Sequence, residues 1–297
     1  MPTMNDGVVT GSIVALVTPF ADGAGAVDET VWRALVDWHV EAGTDGIVVA
    51  GTTGESATLT AGERDRLLAQ ALEAASGGRT RIVAGTGAAS TRIAVAQSRR
   101  AAELGADAVL VVTPYYNRPP QRGLAAHFRR VADECTVPVI LYNVPTRTAA
   151  DLAPETVEVL AGHPNIVAIK EAVADMERVA RYAGAGLTVL SGDDPTAWQA
   201  LRHGASGVVS VAANVVPRAM ARLCRLARSG DTEHGERLRR ELEPLFAFLA
   251  AEPNPIPVKW LLASAGRIGP ELRLPLVPLD ERHHAEGRRL VEAVLEP

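Results

Sequence analysis

The sequence predicts an α/β protein, a (β/α)8 TIM barrel with a C-terminal helical appendage, and three observations carry that reading. Short β-branched runs alternate with longer stretches rich in Ala, Leu, Glu and Arg, as strands and helices do in a parallel α/β protein. Eight such runs occur. The segments Gly43-Thr-Asp-Gly-Ile-Val, Gly105-Ala-Asp-Ala-Val-Leu and Gly204-Ala-Ser-Gly-Val-Val each read as a glycine helix stop leading into a strand. Gly43 to Gly105 spans 62 residues and Gly105 to Gly204 spans 99, so two and three units of about 31–33 residues fit, the length of a βα unit. Finally, 297 residues with 47% hydrophobic content can bury a barrel of roughly 250 residues and leave a small addition.

The eight runs lie near Ile13–Thr18, Gly46–Ala50, Arg81–Ala84, Ala108–Thr113, Pro138–Tyr142, Ile166–Lys170, Leu187–Leu190 and Gly207–Val211. Each is apolar on both faces, as a strand must be when helices cover the outside and side chains fill the inside. Eight units end near Ser229, so residues 1–230 read as a catalytic barrel. Residues 231–297 lack strand-like runs and read as two or three helices broken by Pro253, Pro255 and Pro257. The competing architecture, an open doubly wound sheet, calls for a glycine-rich phosphate turn after its first strand, where this chain has Thr18-Pro19-Phe20.

Composition narrows the function. Thirty Lys and Arg against 35 Asp and Glu leave a net charge of −5, no electrostatic footprint for nucleic acid. Two cysteines, Cys135 and Cys224, are too few for a disulfide framework and lack the paired spacing of a structural zinc site, which points to a reducing compartment. Met1 to Val9 shows no basic-then-apolar run, and no apolar stretch reaches the ~18 residues of a membrane span. A cytoplasmic protein is expected.

In a barrel the active site is built where strands end at the C-terminal face. The second strand ends in Gly51-Thr52-Thr53-Gly54-Glu55-Ser56, the fourth in Pro114-Tyr115-Tyr116-Asn117 and the fifth in Tyr142-Asn143-Val144-Pro145. The sixth ends in Ile169-Lys170-Glu171 and the seventh in Ser191-Gly192-Asp193-Asp194. Lys170 closes an apolar strand, where an amine is partly desolvated and so favours its neutral, nucleophilic form. Two readings stand for it: a nucleophile, or a lysine paired with a neighbour such as Glu171. Lys259 follows Pro257 at a helix start, where a surface role is expected. Tyr142 is either a proton-transfer group, connected to solvent through Tyr116 and Thr52, or a core residue. The Thr52-Thr53-Gly54 turn presents backbone N–H groups to a carboxylate, or is an ordinary helix-capping turn; it is not a P-loop, because no lysine follows its glycines. Gly85-Thr86-Gly87 lacks the third glycine and the distal acid of a dinucleotide loop. Asp193-Asp194 without a histidine reads as a helix N-cap instead of a metal site, and the seven histidines show no ligand spacing.

Taken in order, these strand-end motifs resemble the dihydrodipicolinate synthase family, within the pyruvate aldolase superfamily that includes N-acetylneuraminate lyase. The resemblance runs almost end to end, through Gly11-Ser-Ile-Val-Ala-Leu-Val-Thr-Pro-Phe, Gly51-Thr-Thr-Gly-Glu-Ser-Ala-Thr-Leu, Thr113-Pro-Tyr-Tyr-Asn-Arg-Pro-Pro, Tyr142-Asn-Val-Pro-Thr-Arg-Thr and Ile169-Lys-Glu-Ala. It continues through Ser191-Gly-Asp-Asp, Gly207-Val-Val-Ser-Val-Ala-Ala-Asn, Asn254-Pro-Ile-Pro-Val-Lys-Trp and Leu272-Arg-Leu-Pro-Leu. It implies that Lys170 holds pyruvate as a Schiff base and that Tyr142, Thr52 and Tyr116 form a proton relay, Tyr116 being lent by a neighbouring subunit. It also implies that Thr52 and Thr53 hold the pyruvate carboxylate, that the backbones of Gly192 and Val209 shape the pocket, and that Arg147 clamps the carboxylate of L-aspartate 4-semialdehyde. A homotetramer, a dimer of dimers, and a reaction without metal or organic cofactor are implied by the same resemblance. Arg147 argues against a sugar-acid aldolase, and the intact Lys170, Tyr142, Thr52 and Tyr116 set argues against a non-catalytic binding barrel.

Many members of that family are inhibited by lysine bound in a cleft between subunits. Ser56, Ala57, Leu59 and Tyr115 match that cleft, but Ala61 and Arg64 stand where histidines occur, Ala89 where asparagine occurs and Ile93 where a glutamate meets the ligand's ammonium. Weak or absent feedback is expected.

Overall fold

The structure, a computed structural model, describes residues 9–294. The first eight residues, read above for a leader, lie outside the described residues. Eight parallel strands close on themselves in sequence order: β1 (Gly11–Ala15), β2 (Gly46–Val49), β3 (Arg81–Gly85), β4 (Ala108–Val112), β5 (Val139–Asn143), β6 (Ile166–Glu171), β7 (Thr188–Ser191) and β8 (Gly207–Ser210). Pairing of β1 with both β2 and β8 completes the barrel. Helices α1 (Glu29–Glu41), α2 (Ala61–Ala74), α3 (Thr91–Leu104) and α4 (Gln121–Glu134) come after the first four strands. A single turn α5 (Pro145–Thr148) precedes α6 (Pro154–Ala161), and α7 (Met176–Gly184), α8 (Ala197–Arg202) and α9 (Pro217–Ser229) complete the ring.

Strand periodicity sorts the side chains into two cores. Ile13, Ala15, Val48, Val83, Leu110, Ile140, Ala168, Leu190 and Val209 fill the barrel, while Val14, Ile47, Ile82, Val109, Leu141, Ile169, Val189 and Val208 pack outward against the helices. The three repeat glycines adopt positive φ, +76° at Gly43, +100° at Gly105 and +107° at Gly204, the left-handed conformation in which a helix ends.

Two expectations need correction. The first strand is Gly11–Ala15, not Ile13–Thr18: the Leu16 N–H still donates to Val48 O at 3.2 Å, but Val17 and Thr18 are buried beyond the ladder. The appendage has three helices among the described residues, within the two or three expected, α10 (Thr232–Leu249), α11 (Ile256–Ser264) and α12 (His284–Val294), but Pro257 lies inside the first turn of α11 instead of breaking it. Proline is tolerated there because a first-turn N–H has no intrahelical acceptor to lose. No helix among the described residues is long and apolar enough to cross a membrane.

Candidate active site

A cavity of about 210 Å³ opens at the C-terminal ends of the strands, smaller than the ~300–1,000 Å³ of drug-sized pockets and so scaled to a small acid. Lys170, Tyr142, Thr52, Thr53, Arg147 and Gly192 all line it.

Strand alternation puts Lys170 at its floor. Ala168 and Lys170 face the barrel interior while Ile169 and Glu171 face the helices, so adjacent residues end in opposite surroundings. The pairing of Lys170 with Glu171 left open by the sequence therefore does not form. Glu171 accepts from Asn143 Nδ2 at 3.1 Å and from the Val173 N–H at 2.9 Å, and Arg178 grips Asp151 with two bonds of 2.8 and 2.7 Å beside it. Burial pushes the Glu171 carboxyl up to about 7, against the pull of those hydrogen bonds and of Arg178.

Lys170 is 6% exposed, and no carboxylate among the described residues pairs with it. Its register partner on β5 is Tyr142, and its Nζ sits 4.3 Å from the centroid of that ring. The Tyr142 hydroxyl makes no hydrogen bond among the described residues, while its backbone carbonyl is held by the Thr113 N–H at 2.9 Å and the Thr113 hydroxyl at 3.0 Å. Lys170 thus sees an aromatic face and the cavity. Gly192 keeps that space open: a Cβ there would stand 2.9 Å from Lys170 Cε.

The Thr52-Thr53 turn forms the opposite wall. Its own hydrogen bonds run from Gly54 N to Gly51 O at 3.1 Å and from Glu55 N to Thr52 O at 3.1 Å. The N–H groups of Thr52 and Thr53 make no hydrogen bond among the described residues, so two consecutive donors stand beside the cavity as an anion-binding nest does. Arg147, carried by α5, reaches the rim, where its Nη2 donates to Asn254 O at 3.2 Å.

Two of the sequence-predicted residues are placed elsewhere. Tyr116 is 91% exposed, with φ +73°, and does not line the cavity of its own chain. Val209 lies deeper in the barrel, paired in register with Ile13, and Val211 reaches the cavity wall instead.

Two residues of the appendage bear on the site without having been expected there: Asn254 lines the cavity, and Lys259 holds Glu55 behind the Thr52-Thr53 turn. Asn254 donates to Thr53 Oγ1 at 2.9 Å, leaving its Oδ1 buried without a partner. Lys259, expected at the surface, is 1% exposed: its Nζ donates to Glu55 Oε1 at 2.6 Å and to Thr18 O at 2.9 Å. Burial lowers its pKa and Glu55 opposes that shift. The only local signal was the pairing of Pro257, which suits a first helical turn, with the apolar Val258, Leu261 and Leu262, which mark α11 as a helix that buries its side chains. Asp194 also departs from the N-cap reading: its Oδ2 accepts from the N–H groups of Val211 and Ala212, just past the neighbouring strand β8, at 2.9 and 2.8 Å. Asp193 does bind its own turn, through Thr196 N and Oγ1. No group of three or more His, Cys, Asp or Glu poised to hold a metal occurs among the described residues.

Comparison with known proteins places this geometry. A synthase of Stenotrophomonas maltophilia (strain R551-3), named 4-hydroxy-tetrahydrodipicolinate synthase, is 52% identical over 286 residues, 95% of each chain. The chloride-inhibited dihydrodipicolinate synthase of Acinetobacter baumannii, solved in complex with pyruvate, superposes with a TM-score of 0.94 at 43% identity, covering 97% of this chain and 100% of that one. The enzyme of Cyanidioschyzon merolae, solved with lysine bound, superposes with a TM-score of 0.93 at 38% identity over 96% of this chain and 98% of its own. The sequence profile of the Dihydrodipicolinate synthetase family matches residues 8–294, and with relatives about half identical over nearly its whole length, the chain belongs to that family.

Proposed function

We propose that this chain catalyses the reaction of 4-hydroxy-tetrahydrodipicolinate synthases, a lyase-type condensation of pyruvate with L-aspartate 4-semialdehyde in lysine and diaminopimelate biosynthesis. The observation that carries the reading is a buried lysine with no carboxylate partner among the described residues, facing a tyrosine ring at the floor of a cavity scaled to a small acid. Neutral Lys170 Nζ adds to the ketone carbon of pyruvate and one water leaves, giving the imine. Thr52 and Thr53 hold the pyruvate carboxylate through their free N–H groups, and Gly192 leaves room for the imine. A methyl proton departs toward Tyr142, and the enamine carbon so formed attacks the aldehyde of the second substrate, whose carboxylate pairs with Arg147. The substrate's amine then displaces Lys170 from the imine carbon, closing the ring and returning the free amine. One water is lost overall, and no electrons leave the reacting pair.

The relay from Tyr142 through Thr52 ends on Tyr116 of a second copy, because the chain's own Tyr116 points away from its own cavity. A homotetramer, a dimer of dimers, supplies it. The catalytic barrel is read as ending at residue 230, with the helical region starting at 231. Two free, buried cysteines suit the cytoplasm.

Borohydride reduction in the presence of pyruvate, with the adduct located by peptide mass spectrometry, tests the imine: the adduct is expected on Lys170, and an unmodified Lys170 peptide, or an adduct on Lys259, overturns the assignment. A coupled assay comparing aspartate semialdehyde with sugar-acid aldehydes tests the second substrate.

A further inference from the structure

The turn that carries Thr52 and Thr53 begins and ends on left-handed residues that are not glycine. Ala50 and Glu55 both have φ +53°, a conformation that a Cβ makes unfavourable and that persists only where the surroundings impose it. The constraint at Glu55 comes from the far end of the chain. Glu55 Oε1 accepts from Lys259 Nζ at 2.6 Å, and Oε2 accepts from the Arg273 N–H at 3.1 Å. Both partners belong to the C-terminal region. The same ammonium donates to Thr18 O at 2.9 Å, and the Thr18 hydroxyl donates to Gly54 O at 2.7 Å. The Phe20 ring lies 4.4 Å beneath the ammonium. Gly54 and Glu55, the two residues after Thr53, are therefore held in one closed loop of contacts through Thr18 and Lys259.

We propose that the buried Lys259–Glu55 pair is a positioning device for the keto-acid site: it locks the Thr52-Thr53 turn in the register in which its two free N–H groups point at the substrate carboxylate. The inference rests on the proposed reading of that turn as the carboxylate site. Stability alone is a poor reason for the pair, since replacing a buried ion pair with apolar groups of similar volume is often neutral or stabilising. Apolar groups do not provide direction. The pair fixes a carboxylate in two hydrogen bonds, and through it a strained backbone whose displacement by about 1 Å is enough to weaken a catalytic geometry a hundredfold. Lys259 does not touch the substrate cavity, so its effect reaches the reaction only through the turn.

The experiment removes both charges at once. In the Glu55→Gln/Lys259→Met double variant no buried charge is left unpaired, and the pyruvate concentration that half-saturates borohydride trapping on Lys170 is expected to rise tenfold or more. The KM for the aldehyde substrate is expected to rise less than that half-saturation, because Arg147 meets the turn only at second hand, through Asn254. Where the double variant does not fold, Glu55→Gln alone, which keeps the side chain's size, is read in the same way. Half-saturation within twofold of the unaltered protein overturns the proposal, as does equal weakening of both substrates, which marks general loosening. Failure of both variants to fold also overturns it, leaving a pair that serves folding alone. Absence of trapping in the unaltered protein sinks the Lys170 reading instead, so the two failures are told apart.

Discussion

The molecule buries two lysines at the same end of its barrel, and their surroundings differ in one respect. Lys259 is clasped by a carboxylate and a carbonyl, whereas Lys170 faces a tyrosine ring and a cavity and pairs with no carboxylate among the described residues. A buried ammonium with a buried carboxylate at 2.6 Å keeps its place, because losing either partner strands the other charge. An amine without that partner is free to act as a nucleophile. Burial makes a lysine costly in either position; the partner decides whether it is a strut or a reagent.

The comparison breaks first at Lys170. Lys170→Ala is expected to lower turnover by about a thousandfold or more and to abolish borohydride trapping, while the melting temperature stays near that of the unaltered protein. Residual trapping elsewhere in that variant would move the nucleophile. The mirror experiment is Lys259→Met. Leaving Glu55 buried and unpaired should destabilise the fold by about 3–5 kcal/mol, roughly 5–15 °C in a thermal melt at this size, with the pyruvate adduct still on Lys170. A melt unchanged within a degree or two would mean that Glu55 finds water or protonates without penalty.

Much of this arrangement was legible in the sequence. Eight apolar runs and repeat-spaced glycines sufficed for the barrel, because both arise from local backbone physics: alternation in strands and left-handed helix stops. The slip at β1 shows the limit of that signal, since Val17 and Thr18 are as buried as the strand itself and burial does not report ladder hydrogen bonds. The opposite facing of Lys170 and Glu171 was readable from period two alone. Lys259 and Asn254 were not, because their partners Glu55 and Thr53 lie 204 and 201 residues away. Nothing local distinguishes a lysine at a helix start that meets solvent from one that meets a carboxylate folded back from the second strand.

Glu171, the neighbour that does not pair with Lys170, sharpens the comparison through pH. Its carboxyl is raised from an ordinary 4.5 to about 7, chiefly by burial, so the folded state favours the protonated form. That stabilisation is present below about 4.5 and is lost as pH rises through about 7, up to about 3 kcal/mol in all. Glu171→Gln, which cannot ionise, should therefore match the unaltered protein near pH 4 and exceed its stability by up to that amount near pH 8. The difference must be measured against the parent at each pH, because buried His39 and His127, lowered to about 3 and about 4 by burial, act in the opposite sense. Their contribution is present above about 6.5 and is lost as pH falls. A pH-independent difference between variant and parent would place the charge elsewhere in the Asp151–Arg178 network.

Arg147 tests whether the cavity rim distinguishes the two substrates. A charge-assisted pair to a carboxylate is worth roughly 1.5–3 kcal/mol, so Arg147→Ala should raise the KM for aspartate semialdehyde about ten- to a hundredfold while pyruvate trapping stays intact. Equal damage to both steps would give Arg147 a structural role through Asn254.

A third cation lies between the two lysines in character, and it carries the smallest expected effect. Arg64 is half-buried, burial lowers its pKa, and its guanidinium donates to Gln97 Oε1 and to the Ser56 carbonyl, with no carboxylate pairing among the described residues. Like Lys170 it pairs with no carboxylate among the described residues, but it is tethered like Lys259. It lies beside Ser56, Ala57 and Tyr115, the residues matching the cleft in which relatives bind lysine, and the Cyanidioschyzon merolae enzyme was solved with lysine bound. A lysine ligand entering here brings an ammonium toward a guanidinium held in place, and Ile93, half-exposed, offers it no carboxylate. An unpaired buried charge weakens binding by about 1–3 kcal/mol, roughly five- to a hundredfold, and like-charge repulsion adds to that. L-Lysine is therefore expected to inhibit weakly or not at all. Initial rates at saturating pyruvate, with L-lysine from micromolar to tens of millimolar, decide the matter: half-inhibition below about 1 mM, where binding is worth more than ~4 kcal/mol, would mean that other contacts rebuild the site around Arg64.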